Sequence, residues 1–356
     1  MSALSLVTPV TRRDVAMCAL QCDSVDRHLS CYVKHHVIVP DDELALFDRF
    51  NGARRVVVPA SELLPAWLRP MPRLLQHMGE RYWWSLRTSP VSGSYLQRIL
   101  RIAAASAFPE ERHCILDTDI VFFRRFDLSL LLRPRPAPLI EAPLVGSPAQ
   151  MQRTRTSRRL LGLKPASLPI VDFSSPIVVW DRRAIRAMID RIEMVTGIEW
   201  VEALCSTRNI CEYALYGSFV QDSARHRAEH VSTSHTRCLS FVASAPDRAT
   251  IEATLRTARE DDVACSTAGL AATSIDRLGR VLAEQAEQET RVAPASVSLS
   301  AVVPAQAGTH HTMLLSSAVP ECGAAAYGSP PARGRQQQSQ CPTQERLDAP
   351  PEARGK

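Results

Sequence analysis

Two aspartates one residue apart, Asp117 and Asp119 flanking Thr118, close the apolar run Cys114-Ile115-Leu116 and precede a second one, Ile120-Val121-Phe122-Phe123. Asp-x-Asp by itself commonly marks a solvated turn or a helix cap. Here it interrupts residues that otherwise read as buried strand, where two carboxylates are costly unless a cation or strong hydrogen-bond donors compensate them. Mg²⁺ or Mn²⁺ binds through one or two carboxylates and takes its other oxygens from phosphates and water. A nucleotide-sugar diphosphate suits that coordination, because such a metal neutralises charge gathering on a departing diphosphate. From the residues alone three readings stand side by side: a metal–diphosphate site, a structural acidic turn, and another kind of phosphate enzyme.

The elements that must position this pair alternate between strand and helix. Leu4 to Val7 reads as a strand ended by Thr8-Pro9, and Asp14 to Leu29 carries apolar residues at helical spacing. His36 to Val39 and Arg55 to Val58 are further strands, with a helix between them started by Pro40 and running to Phe50. Tyr95 to Ala105 predicts a helix, His113 to Leu116 a strand, and Ile120 to Phe123 its continuation past the acidic pair. Ser157 to Leu163 reads as a short helix, Ile177 to Trp180 as a strand and Arg182 to Val195 as a helix. Helical segments follow at Trp200 to Leu204 and around Glu212 to Val220. The alternation predicts an α/β fold, a mostly parallel central sheet covered by helices. The acidic pair would then stand at the C-terminal edge of a parallel strand, where such sheets place ligands.

Composition narrows the classes. The 356 residues carry 42 basic against 37 acidic side chains, a formal charge of +5, with no long basic block or basic-aromatic patch. Nucleic-acid binding is therefore not expected. None of the ten cysteines forms a CxxC pair, so they read as small buried residues or free thiols of a reducing compartment. The opening residues lack a basic stretch followed by an apolar one, and no segment reaches the roughly 20 apolar residues that span a bilayer. The expectation is a cytoplasmic protein without a transmembrane segment, compatible with peripheral contact at a membrane surface. After Val292 the chain turns rich in Ala, Ser, Pro, Gly and Gln, a composition that cannot bury enough apolar area to offset ordering entropy. The expected organisation is a catalytic domain over 1–245, a helical C-terminal portion over 246–291 and a disordered low-complexity extension over 292–356.

A series of blocks in fixed order adds a resemblance. It begins at Leu6-Val7-Thr8-Pro9 and Arg13-Asp14, and passes through Val37-Ile38-Val39-Pro40 and Gln97-Arg98-Ile99-Leu100-Arg101. It reaches Ile115-Leu116-Asp117-Thr118-Asp119-Ile120-Val121-Phe122 and ends in Cys211-Glu212-Tyr213-Ala214-Leu215-Tyr216-Gly217. Over about residues 4 to 240 the chain resembles DUF6492, a bacterial family of uncharacterised proteins similar to GT-A type glycosyltransferases. Arg98, Arg101 and Cys211 depart from the family text, which has Gln, Lys and Ser there. The resemblance implies a GT-A-like (Rossmann-like) three-layer sandwich and a metal-dependent glycosyltransferase. It would move a sugar from a nucleotide-diphosphate donor to a carbohydrate or glycolipid acceptor, as in surface polysaccharide or glycoside synthesis.

That frame assigns roles. Asp117 and Asp119 would hold Mn²⁺ or Mg²⁺, with Asp117 also meeting the donor. Thr8 and Arg13, after the first strand, stand where a GT-A-like fold holds base and ribose. Gln97 and Arg101 lie four apart on one helical face and would reach sugar hydroxyls and diphosphate. Glu212 is the leading second carboxylate, as general base of an inverting transfer or as a group orienting the donor; Asp172 is its substitute. One of His226, His230 and His235 would complete the metal shell or face the diphosphate. The alternatives are a catalytically silent sugar- or nucleotide-binding protein and a nucleotidyltransferase, the latter without a Gly-rich phosphate loop near the first strand.

Overall fold

The computed structural model describes residues 3–72, 81–145, 148–166, 169–207 and 209–292. In chain order it runs β1 (Leu4–Pro9), α1 (Val15–His28), β2 (His35–Val39), β3 (Arg55–Pro59), α2 (Gly93–Ala107), β4 (Arg112–Leu116) and β5 (Ile120–Phe122). There follow α3 (Pro148–Leu160), β6 (Ile177–Asp181), α4 (Arg182–Thr196), α5 (Trp200–Thr207) and α6 (Glu212–Asp222). The described chain ends with β7 (Cys238–Ser240), α7 (Arg248–Arg256), β8 (Ala264–Ser266) and α8 (Ala272–Val292).

The main sheet has the order β6-β4-β1-β2-β3. Its first four strands in sequence pair in parallel, and β6 joins β4 antiparallel with Ile177 opposite Leu116. Apolar runs long enough to be buried on both faces are what such a sheet requires, and β1, β2, β4 and β6 are buried at every position. Alternation along the strands divides the core. Val7, Ile115, Val178 and Trp180 face one way, onto Ile99 of α2, Ile185 and Met188 of α4 and Leu215 of α6. Leu4, Leu6, Cys114, Leu116 and Val179 face the other way, onto Val25 of α1, Phe122 and Phe126. The sheet is therefore covered by helices on both faces, as the alternating pattern predicts.

Several expectations are corrected. Residues Ile120 to Phe122 do not extend β4: they leave the main sheet and pair antiparallel with β8, Ile120 opposite Ser266. The cause is the acidic segment, which turns the chain through the bond from Ile120 N–H to Asp117 O, 3.2 Å. The helix expected up to Phe50 is three single turns, Asp41–Glu43, Leu44–Phe47 and Asp48–Phe50. The short helix expected at Ser157 begins earlier, at Pro148, and the chain leaves it through Gly162 at φ 65°. The portion expected to be helical over 246–291 also carries a strand, β8. Ile251, Leu255, Leu278, Val281 and Leu282 form one core cluster with Val121 of β5 and Cys265 of β8, within a compact unit spanning Met1–Ala295. The extension expected over 292–356 lies, past Val292, outside the described residues.

One glycine ties the α6 block to packing. A Cβ on Gly217 would stand 2.1 Å from the ring of buried Phe173. Gly217→Ala is expected to lower stability by about 1–3 kcal/mol through overpacking, read as a shift in the urea unfolding midpoint. An unchanged midpoint would mean that Phe173 moves aside without cost.

Candidate functional site

A cleft of about 490 Å³ lies where β4 gives way to Asp117-Thr118-Asp119. The carbonyls at that turn are held by donors from outside it. Gln21 of α1 donates through Nε2 to Asp117 O (2.6 Å) and Ile120 O (3.2 Å). Thr267 donates to Asp119 O through its backbone N–H (2.8 Å) and its hydroxyl (3.0 Å). The carbonyls of Asp117 and Asp119 are therefore satisfied, and both aspartates line the cleft.

Helix α2 supplies the opposite wall. Its start is fixed by Ser92, whose hydroxyl accepts from Tyr95 N–H. Leu96, Ile99, Leu100 and Ala103 are buried, which turns Gln97, Arg98 and Arg101 toward the cleft. Arg101 lies between two acids: Nη2 bonds Asp117 Oδ1, and Nη1 donates to Glu212 Oε1 at 2.6 Å. Arg98 sits beside it, bonded to Ile210 O and 3.8 Å from Glu212 Oε2. Tyr213 donates from its hydroxyl to Asp117 Oδ1 at 3.3 Å.

Burial governs the protonation of this group. It pushes the Asp117 carboxyl above its ordinary range, with Arg101 pulling against it. Burial also raises Tyr213 strongly, so the phenol stays a donor. Arg101 is the reverse case. Burial alone would lower it, but Tyr213, Asp117 and Glu212 outweigh that and hold it charged.

Of the residues nominated from sequence, Gln97, Arg101, Asp117, Asp119, Asp172 and Glu212 all line this one cleft. Their contacts differ. Glu212 is 3% exposed and committed to the two arginines, a position suited to orienting Arg101. Asp172 is half-buried and, among the described residues, anchored at one oxygen, Oδ1 accepting from Ser174 N–H at 2.9 Å. Thr8 and Arg13 are not in the cleft. Thr8 is fully buried with its hydroxyl 3.0 Å from His35 Nε2, because β1 is interior to the sheet. Arg13 is exposed on the turn before α1, and Asp14 and Met17 line the cleft from that side.

The histidines are elsewhere too. His230 is buried, with Nε2 2.7 Å from Tyr216 Oη and Nδ1 2.7 Å from His226 O. His235 is held between Asp261 (2.8 Å) and Asp262 (3.0 Å), a grouping with metal-ligating side chains beside a separate cavity of about 340 Å³. Both of its ring nitrogens face carboxylates, and His235 does not line the cleft of the acidic pair.

With the geometry in place, the comparison with known families is decisive at one level. The model of a family of unknown function, DUF6492, matches residues 1–252. The chain belongs to DUF6492. A search of curated proteins finds no match. In this DUF6492 protein the matched stretch ends before β8, yet Ser266 donates from its hydroxyl to Asp119 Oδ2 at 2.6 Å. Ser266 and Thr267 thus hold one of the two aspartates from outside the matched residues. Nothing in their local text, Ala264-Cys265-Ser266-Thr267, marks them; only the pairing of β8 with β5 does.

No helix among the described residues is long and apolar enough to cross a membrane.

Proposed function

We propose that this DUF6492 protein is a glycosyltransferase that uses a nucleotide-diphosphate sugar and a divalent cation, Mn²⁺ or Mg²⁺, bound at Asp117 and Asp119. One observation carries the reading. Each aspartate commits one carboxylate oxygen to the protein, Asp117 Oδ1 to Arg101 and Tyr213 and Asp119 Oδ2 to Ser266. Among the described residues, the other oxygen of each has no protein partner, and both side chains line the cleft. Two oriented oxygens with the rest of the shell left to phosphate and water is the donor set Mg²⁺ takes beside nucleotides.

Charge points the same way. The cleft is lined by five carboxylates, from Asp14, Asp117, Asp119, Asp172 and Glu212, against three guanidiniums, from Arg98, Arg101 and Arg153. A diphosphate entering it alone would meet net repulsion, whereas a metal-bound diphosphate would not. Bound there, the cation would neutralise charge on the departing diphosphate. Arg101, fixed by Glu212, holds Asp117 in orientation; Gln97 offers an amide to sugar hydroxyls. Asp172, whose Oδ2 has no partner among the described residues, would accept the proton of an acceptor hydroxyl of a carbohydrate or glycolipid.

Calorimetry with UDP-, GDP-, CMP- and dTDP-sugars, with and without Mn²⁺, tests this. At least one donor is expected to bind, and to depend on the metal. Asp119→Asn is expected to reduce transfer by about 100-fold or more, the scale set by losing a group that stabilises transition-state charge. If no donor binds, or binding ignores both Mn²⁺ and Asp119→Asn, the reading fails. Binding without turnover would instead make the protein a sugar-nucleotide receptor.

A further inference from the structure

The three arginines of the cleft are not equivalent. Arg101 is spent on Asp117 and Glu212, and Arg98 on Ile210 O and Glu212. Arg153 lines the same cleft, half-buried, and among the described residues no carboxylate or carbonyl receives its guanidinium.

Its direction follows from the packing of α3. Ser157, fully buried, accepts from Cys211 N–H (2.9 Å) and donates to Cys211 O (3.1 Å), which pins α3 to the start of α6. Residues four apart share a helix face, so Arg153 is carried on the side of α3 that Ser157 presses against α6. Gln150 and Thr154, on that same stripe, line the cleft with it. Arg155 is turned outward and exposed. Among the described residues no protein anion compensates the partial desolvation of this half-buried guanidinium, which stands beside carboxylates whose unpartnered oxygens suit a cation.

We propose that Arg153 is the diphosphate-gripping residue of this cleft, and that it makes the site select ligands bearing two linked phosphates. The guanidinium presents paired N–H donors that match phosphate oxygens, and α3 brings it in from a different element than the acidic pair. A diphosphate is then held by protein cation and metal together, whereas a monophosphate engages them one at a time. The inference rests on the reading of the cleft as a sugar-nucleotide site, but its test can be separated from that reading.

The test is calorimetry in Mn²⁺ with inorganic pyrophosphate, UDP, GDP, and the matching monophosphates and nucleosides, on the full chain and on Arg153→Gln, Arg153→Lys and Arg155→Gln. Arg153→Gln is expected to weaken pyrophosphate and the nucleoside diphosphates by about tenfold or more, the scale of one charge-assisted bond, and nucleosides by less than twofold. Arg153→Lys should recover part of the loss, and Arg155→Gln should leave binding unchanged. Diphosphate affinity equal within twofold in Arg153→Gln overturns the proposal while leaving the sugar-nucleotide reading standing. Pyrophosphate binding that depends on Arg153, with no affinity for any nucleotide, upholds the proposal and sinks that reading. Absence of both kinds of binding in the unaltered protein overturns both.

Discussion

Arg101→Met is expected to destabilise the protein by about 3–5 kcal/mol and to abolish metal-dependent donor binding together. The side chain removed is the common partner of Asp117 and Glu212, and Glu212 is almost fully buried. Removing one member of a buried ion pair costs that order of energy, and it leaves Glu212 with only Arg98, at 3.8 Å, in place of its 2.6 Å bond to Arg101. Asp117, already raised by burial, would lose the neighbour that pulls it down. It would then take up a proton more readily and lose its value as a metal ligand. Urea unfolding reads the first effect and Mn²⁺ titration the second. A second change separates them: adding Glu212→Gln to Arg101→Met should return part of the stability, because one buried charge disappears, but none of the metal binding. Lys at 101 keeps the charge without the fork that serves two acids at once, so Arg101→Lys should fall between. An unfolding midpoint unchanged in Arg101→Met would show that the bridge contributes nothing.

This bridge also marks what can be read from sequence and what cannot. Arg101 was legible as a cleft residue because Gln97 and Arg101 share the polar face of a helix whose other positions are apolar. Its partners were not legible, since Glu212 stands 111 residues further on and reaches it only through the packing of α6 against α2. The strands of the main sheet were readable from continuous apolar runs. The departure of β5 from that sheet was not, because Ile120-Val121-Phe122 looks the same whether it extends β4 or pairs with β8. The turn at Asp117 decides it, and the strand that receives β5 comes from residues whose text carries no chemical signature. Arg153 escaped for a related reason. In Arg153-Thr154-Arg155-Thr156 the two arginines are alike in sequence, and only Ser157 locking onto Cys211 determines which one enters the cleft.

Acidification is expected to unfold the protein well above the pH at which its carboxylates are neutralised, because histidines are built into the sheet core. His35 and His113 are fully buried and His36 nearly so. Burial pushes them down to about 3, about 3 and about 4 respectively, from 6.5. His35 and His113 are bonded to Thr8 and Ser5 of β1, while His36 stacks on Phe108 at 3.7 Å, its ring nitrogens without a hydrogen bond among the described residues and Nε2 3.9 Å from Glu110 Oε2. A lowered folded pKa means the unfolded chain binds more protons between about 4 and 6.5. Stability is therefore complete above that window and falls as pH drops through it. At pH 5 each histidine costs about 2 kcal/mol, or roughly 6 for the three, which is comparable to the whole stability of many domains. Glu110 and Asp117, both raised by burial, titrate with the opposite sign and recover part of this. The check is the urea midpoint between pH 8 and pH 5 for the unaltered protein and for His36→Phe. Phenylalanine keeps the stack on Phe108 and removes two buried nitrogens that make no hydrogen bond among the described residues, so the variant should be no less stable at pH 8 and should bind about one proton fewer on unfolding near pH 5.5. Equal slopes for the two proteins would mean that His36 charges in place without disturbing the fold, and that the stack on Phe108 carries no acid sensitivity.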